Sequence, residues 1–107
     1  MEENEELKKY QQVRGSLEAV ALEASAINQS LAEYELALKE AQKSSGKLYK
    51  LVGSLLIEVS KEEAEKEIKE KQEELRLRLE MLKKKNEKLI QMEKELREKL
   101  QKNNLSD

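Results

Sequence analysis

Apolar residues in the first part of the chain advance in strictly alternating steps of three and four: Tyr10, Val13, Leu17, Val20, Ala24, Ile27, Leu31, Tyr34, Leu38 and Ala41. Such stepping puts one stripe on one side of an α-helix, the a and d seam of a coiled coil, with Tyr10 at a and Val13 at d. A helix is therefore predicted over about residues 3–44, ending at Ser44-Ser45-Gly46 with Gly46 as the residue just past its C-terminus. Later in the chain Ile68, Leu75, Leu82, Leu89 and Leu96 recur every seven residues and define a second helix over about 61–104. Taking these as d, the a positions are Glu65, Gln72, Leu79, Asn86, Glu93 and Leu100, a mixed layer and hence a weaker seam. Ser60-Lys61-Glu62-Glu63 reads as a capping box at its start, with Ser60 as N-cap and Glu63 reaching back.

The segment between the helices, about residues 47–59, has a different pattern. Leu48-Tyr49-Lys50-Leu51-Val52-Gly53-Ser54-Leu55-Leu56-Ile57-Glu58-Val59 is short, apolar and rich in β-branched residues, with Gly53-Ser54 near its middle. It predicts two short strands joined by a tight turn. If Lys50 and Glu58 mark a wetter face, Tyr49, Leu51, Leu55, Ile57 and Val59 share the other, while Leu48, Val52 and Leu56 make the wet face apolar too. A hairpin apolar on both sides is not stable alone in water and needs partner strands.

Two long helices joined by a short connector fold back as an antiparallel pair. One fold point pairs Leu38 with Ile68, Leu31 with Leu75, Ala24 with Leu82, Leu17 with Leu89, and Tyr10 with Leu96. The alternate layers pair Tyr34 with Gln72, Ile27 with Leu79, Val20 with Asn86 and Val13 with Glu93, and they weaken away from the hairpin. About 40 residues at 1.5 Å rise give an arm of roughly 60 Å. The predicted architecture is thus mostly α: a single domain over 1–107, a long antiparallel two-helix coiled coil with a β-hairpin at the bend.

Composition narrows the function. Of 107 residues, 41% are charged and only 3% aromatic, and there is no Cys, His, Pro, Trp or Phe. High charge alone would suit a disordered chain; the unbroken seam argues against that. Lacking Cys and His, the chain offers no disulfide, no Cys/His metal site and neither of the commonest nucleophile–base pairs. Carboxylate pairs such as Glu62-Glu63 and Glu73-Glu74 have no second layer to bury them, no Gly-rich phosphate loop is present, and no cofactor is implied. Lys83-Lys84-Lys85 sits among acids, and a net charge of −2 argues for a solvated face rather than a nucleic-acid surface. Without a long apolar run or a signal-peptide pattern in the acidic opening, the expectation is a cytoplasmic protein.

At Leu48–Ile57 and Lys61-Glu62-Glu63-Ala64 the chain resembles the β-class subunit of prefoldin, in that family's hairpin and second-helix start; Tyr49-Lys50-Leu51-Val52-Gly53 is the most specific part. Tyr10-Gln11-Gln12 and the Glu/Lys/Leu-rich second helix are similar too, and a single hairpin points to the β class. The resemblance implies a heterohexamer of two α-class and four β-class subunits, whose hairpins assemble into a β-barrel platform bearing the coiled coils. It further implies an ATP-independent chaperone that holds unfolded polypeptides and passes them to a group II chaperonin. Leu48, Tyr49, Leu51, Val52, Gly53, Leu55, Leu56, Ile57 and Val59 are then the oligomerisation residues. A holdase needs exposed apolar groups, and the helix ends far from the hairpin supply them: Leu7, Tyr10 and Val13 from the first helix, Ile90, Met92, Leu96, Leu100 and Leu105 from the second. Asn86 and Glu93 at a positions would loosen the coil there and let it splay. The alternative is a coiled-coil scaffold or tether, which has no need of an apolar segment at its bend.

Overall fold

A computed structural model describes the backbone of residues 2–105 and the side chains of residues 4–103. In chain order it contains α1 (Glu2–Lys43), β1 (Leu48–Val52), β2 (Leu55–Val59) and α2 (Lys61–Leu105). The contacts divide into two compact units. One joins residues 1–25 with 79–107; the other is residues 26–78.

In the first unit the seam positions are the ones that leave solvent. Val13, Val20, Leu82 and Leu89 are buried, with Leu82 at 2% exposure, and Tyr10, Leu17, Ala24, Leu79, Asn86, Leu96 and Leu100 are half-buried. Two long-range hydrogen bonds fix the direction of pairing. The Tyr10 hydroxyl donates to Glu93 Oε1 at 3.2 Å, and Asn103 Nδ2 donates to Glu6 Oε2 at 3.1 Å. As one partner's number falls the other's rises, so the helices run antiparallel. Each bond lies within one helical turn of the register that sets Tyr10 against Leu96. Glu93, expected to loosen the coil, is instead tied in: besides Tyr10, Arg97 Nη1 lies 3.7 Å from its Oε1. A buried carboxylate is tolerable only with such partners.

The second unit repeats the scheme and adds the hairpin. Ile27, Ala41 and Gln72 are buried, and Leu31, Tyr34, Leu38, Glu65, Ile68 and Leu75 are half-buried. Gln72, a polar residue at an a position, keeps its place by donating Nε2 to Glu35 Oε2 at 3.3 Å. A polar seam residue of this kind specifies register at some cost in stability.

Both helix ends facing the hairpin have identifiable causes, one expected and one not. At the start of α2, Ser60 Oγ accepts from Glu63 N at 3.1 Å, and Ser60 O accepts from Ala64 N at 2.9 Å, as an N-cap should. At the end of α1 the expectation of Gly46 as a left-handed stop is corrected. The helix ends at Lys43, the last turn closes with Ser44 N donating to Glu40 O at 3.0 Å, and Ser44 Oγ accepts from Gly46 N at 3.3 Å. Serine side-chain capture of the following backbone terminates the helix, and Gly46 does not take a positive φ. Lys61 Nζ then donates to Gln42 O at 2.7 Å, linking the two helix ends across the hairpin's base.

Candidate functional site: the exposed hairpin and the apolar helix ends

The turn is made by Gly53 and Ser54, flanked by the pair Val52↔Leu55. Gly53 has φ +61° while no other described residue has a positive φ, which identifies a type II′ turn with Gly at its first central position. A two-residue turn of this type matches the twist of the strands and fixes their register.

That register corrects the expected faces. Residues directly opposite one another in an antiparallel pair share a face. The pairs are Leu48↔Val59, Tyr49↔Glu58, Lys50↔Ile57, Leu51↔Leu56 and Val52↔Leu55. One face therefore holds Leu48, Lys50, Val52, Leu55, Ile57 and Val59; the other holds Tyr49, Leu51, Leu56 and Glu58. Lys50 and Glu58 lie on opposite faces. Tyr49 and Leu51 do not share a face with Leu55, Ile57 and Val59. The physical reason is the even turn: a two-residue loop pairs odd-numbered positions of one strand with even-numbered positions of the other. An odd loop would have given the expected grouping.

Both faces remain apolar, and both are open. Tyr49, Leu51, Val52, Leu55, Leu56 and Ile57 are all exposed, with only Leu48 and Val59 at the base half-buried. The sheet consists of these two strands alone among the described residues, so the outer edge of each carries unpaired backbone groups. Lys50 Nζ forms an ion pair with Glu67 of α2, and Lys47 Nζ lies 3.7 Å from Glu58 Oε1.

The second candidate region lies in the unit of residues 1–25 and 79–107. Leu7, Ile90 and Met92 are exposed there, Tyr10, Leu96 and Leu100 are half-buried, and Val13 is 5% exposed, within the seam. The side chain of Leu105 lies outside the described residues. Val13, Met92 and Leu96 come together as the apolar part of an open groove of about 240 Å³, whose rim adds Lys9, Gln12, Glu95 and Lys99. These four were not among the expected residues. Lys9, Lys99 and Met92 all flank the seam at g positions, so the heptad assignment contained the signal. Leu22, Leu36, Leu77 and Met81, off the seam, are exposed as their positions require.

Among the described residues, no helix is long and apolar enough to cross a membrane, and no group of acidic residues is placed to hold a metal ion. Fold and sites define a class: a two-helix antiparallel subunit whose connecting hairpin leaves its apolar faces and its strand edges uncovered. A model of the prefoldin subunit family matches residues 4–106. The prefoldin beta subunit of Methanosarcina acetivorans is 34% identical over 98 residues, covering 90% of this chain and 84% of that one. That of Pyrococcus furiosus is 36% identical over 98 residues, covering 90% and 81%. The crystal structure of the prefoldin beta subunit from Thermococcus strain KS-1 superposes with a TM-score of 0.83 at 29% identity, covering 94% of this chain and 90% of that one. The chain belongs to the prefoldin family, as a subunit of the beta type. Its role is that of a subunit of the co-chaperone prefoldin, within an oligomeric complex that includes other subunits.

Proposed function

We propose that the chain works as one prefoldin-like domain in a heterohexamer of two α-class and four β-class subunits. In this reading its hairpin joins an intersubunit β-barrel platform through Leu48, Tyr49, Leu51, Val52, Gly53, Leu55, Leu56, Ile57 and Val59. The observation that carries the reading is the hairpin itself, with exposed apolar side chains on both faces and unpaired edges on both strands. Closing such strands into a barrel removes edges and covers apolar surface together.

The free helix ends then hold unfolded polypeptides and release them to a group II chaperonin in the cytoplasm, without ATP and without catalysis of a covalent step. Leu7, Ile90 and Met92 supply surface that is already open. Tyr10, Leu96 and Leu100 supply more at the seam's margin, with Leu105 beyond them. Val13 contributes only where the coil parts. Met adapts to varied partners, and several arms acting together gain affinity through effective concentration, so each contact stays weak and reversible.

The test replaces Leu7, Ile90, Met92 and Leu100 together with Ser and measures aggregation of a denatured client in the presence of the assembled complex. Protection is expected to fall severalfold with the oligomer's mass unchanged. Protection equal to that of the parent would overturn the assignment of these residues. Solution mass, with and without a co-expressed α-class subunit, tests the assembly. A monomer under both conditions removes the platform.

A further inference from the structure

In the unit of residues 1–25 and 79–107 the helices are joined by polar bonds as well as by packing. The a positions that α2 places there are Leu79, Asn86, Glu93 and Leu100, so two consecutive a layers are polar. Glu93 is 9% exposed, as deep in the seam as Leu89. Its Oε1 accepts from the Tyr10 hydroxyl of α1 at 3.2 Å and lies 3.7 Å from Arg97 Nη1. Apolar residues surround that bond in sequence and in space. Val13 is one turn on from Tyr10, Met92 adjoins Glu93, and Leu96 is one turn beyond it; these three form the apolar part of the open groove described above. With Val13 and Leu89 both buried, the groove shows only the margin of the seam.

A leucine at 93 would pack this layer and give it no reason to open. A carboxylate there gives up its water, a cost returned only while its partners are in place. Taking one partner away leaves a buried charge short of a bond, and parting the helices then restores its water. Both states of the layer therefore satisfy its polar groups: closed, through Tyr10 and Arg97; open, through solvent. An apolar layer is satisfied only when closed, or when another apolar chain replaces the missing helix. An unfolded segment can be that replacement, most readily where a polar layer has already lowered the cost of parting. We propose that Tyr10 and Glu93 form a latch. Their bond sets how often the two helix ends part, and parting offers Val13 and Leu89 to an apolar segment of an unfolded polypeptide. The latch regulates the holding surface assigned above to Leu7, Ile90 and Met92, and it rests on that reading. In this role Tyr10 and Glu93 are positioning residues, acting through the seam residues that they cover or release.

Two substitutions separate a latch from a simple gain in apolar surface. Tyr10→Phe and Glu93→Leu both make this end of the coil more apolar, and a surface that merely collects apolar groups would hold clients better with either. The latch requires Tyr10→Phe to raise opening and holding, and Glu93→Leu to lower both. The sequence has no cysteine, so Val13→Cys in each background reports opening through its rate of labelling by a maleimide, with Val20→Cys as the reporter further along the seam. Full chains are assembled with the α-class subunit and compared with the parent in mass and helical circular dichroism. For Tyr10→Phe, labelling at 13 is expected to rise about tenfold or more, the effect of losing a hydrogen bond to a charged group, with little change at 20. Suppression of aggregation of a denatured client, measured with the cysteine-free chains, is expected to rise severalfold with Tyr10→Phe and to fall severalfold with Glu93→Leu. Protection that rises with Glu93→Leu, or that stays at the parental level while labelling at 13 changes, overturns the latch. Unchanged labelling at 13 overturns it as well. So does an equal rise at 13 and 20, or a loss of the parental mass, since either marks a general loosening of the chain. If the joint Ser replacement of Leu7, Ile90, Met92 and Leu100 leaves protection intact, the reading of the helix ends itself fails, and the latch falls with it whatever the labelling shows.

Discussion

Leu82 and Leu56 are the same residue type in the same chain, and one is 2% exposed while the other is 70% exposed. Leu82 sits in a seam whose other side the chain supplies from its own α1. Leu56 sits in a sheet whose other side the chain does not supply. The contrast separates two kinds of apolar surface: one completed by folding, the other left uncovered by it. Scattered exposed leucines are ordinary, but a contiguous sheet apolar on both faces with open edges is not.

Replacing Leu56 and Leu51 together with Asn probes the unfinished side, and it has the largest expected effect. Oligomer mass is expected to collapse to that of the free chain while the helical circular dichroism of the coil persists. Next in size is the finished side. Leu82→Ala removes a fully buried side chain and is expected to cost about 2–5 kcal/mol, read as a lower denaturation midpoint. The residual oligomer at low temperature should keep its mass, since the hairpin is untouched. Ser60→Ala tests the border between the two regions. Loss of the N-cap bond to Glu63 N is expected to cost about 1 kcal/mol, seen as early fraying at the start of α2 in hydrogen exchange. Smallest is Gly15→Ala. Gly15 lies inside α1 with a negative φ, and an added Cβ meets nothing within 4 Å. A gain of about 0.5–1 kcal/mol is expected from helix propensity alone, as a modest rise in melting temperature with no change in mass.

The seam could be read from the sequence because a heptad states both periodicity and depth. Residues spaced three and four apart must share a helix side, and those are the buried ones, down to the polar Gln72 and Glu93. The two-helix fold followed from the same reading, the hairpin from the apolar stretch between the seams, and the family from the resemblance carried by Tyr49-Lys50-Leu51-Val52-Gly53. What escaped it was decided by side-chain reach or by counting across a turn. Gly46 looked like a helix stop, yet Ser44 Oγ captures the backbone first. Lys50 and Glu58 looked like one wet face, yet the even-numbered turn at Gly53-Ser54 places them on opposite sides. With apolar residues at nearly every hairpin position, composition cannot reveal that parity. The tie between Tyr10 and Glu93 depends on a phenol reaching across two helices, which spacing within either helix does not encode.

The Lys61 clasp on the Gln42 carbonyl gives the hairpin a further property. A cation resting on the last carbonyls of a helix is favoured by the helix's own field, and here it fastens α1 to α2 just beneath the sheet. The eighteen positions between Gln42 and Lys61 form an insert bounded by that fastening. Exchanging them for another edge-bearing insert is expected to redirect which chains come together while the paired helices below stay folded, an outcome that solution mass and helical circular dichroism would read.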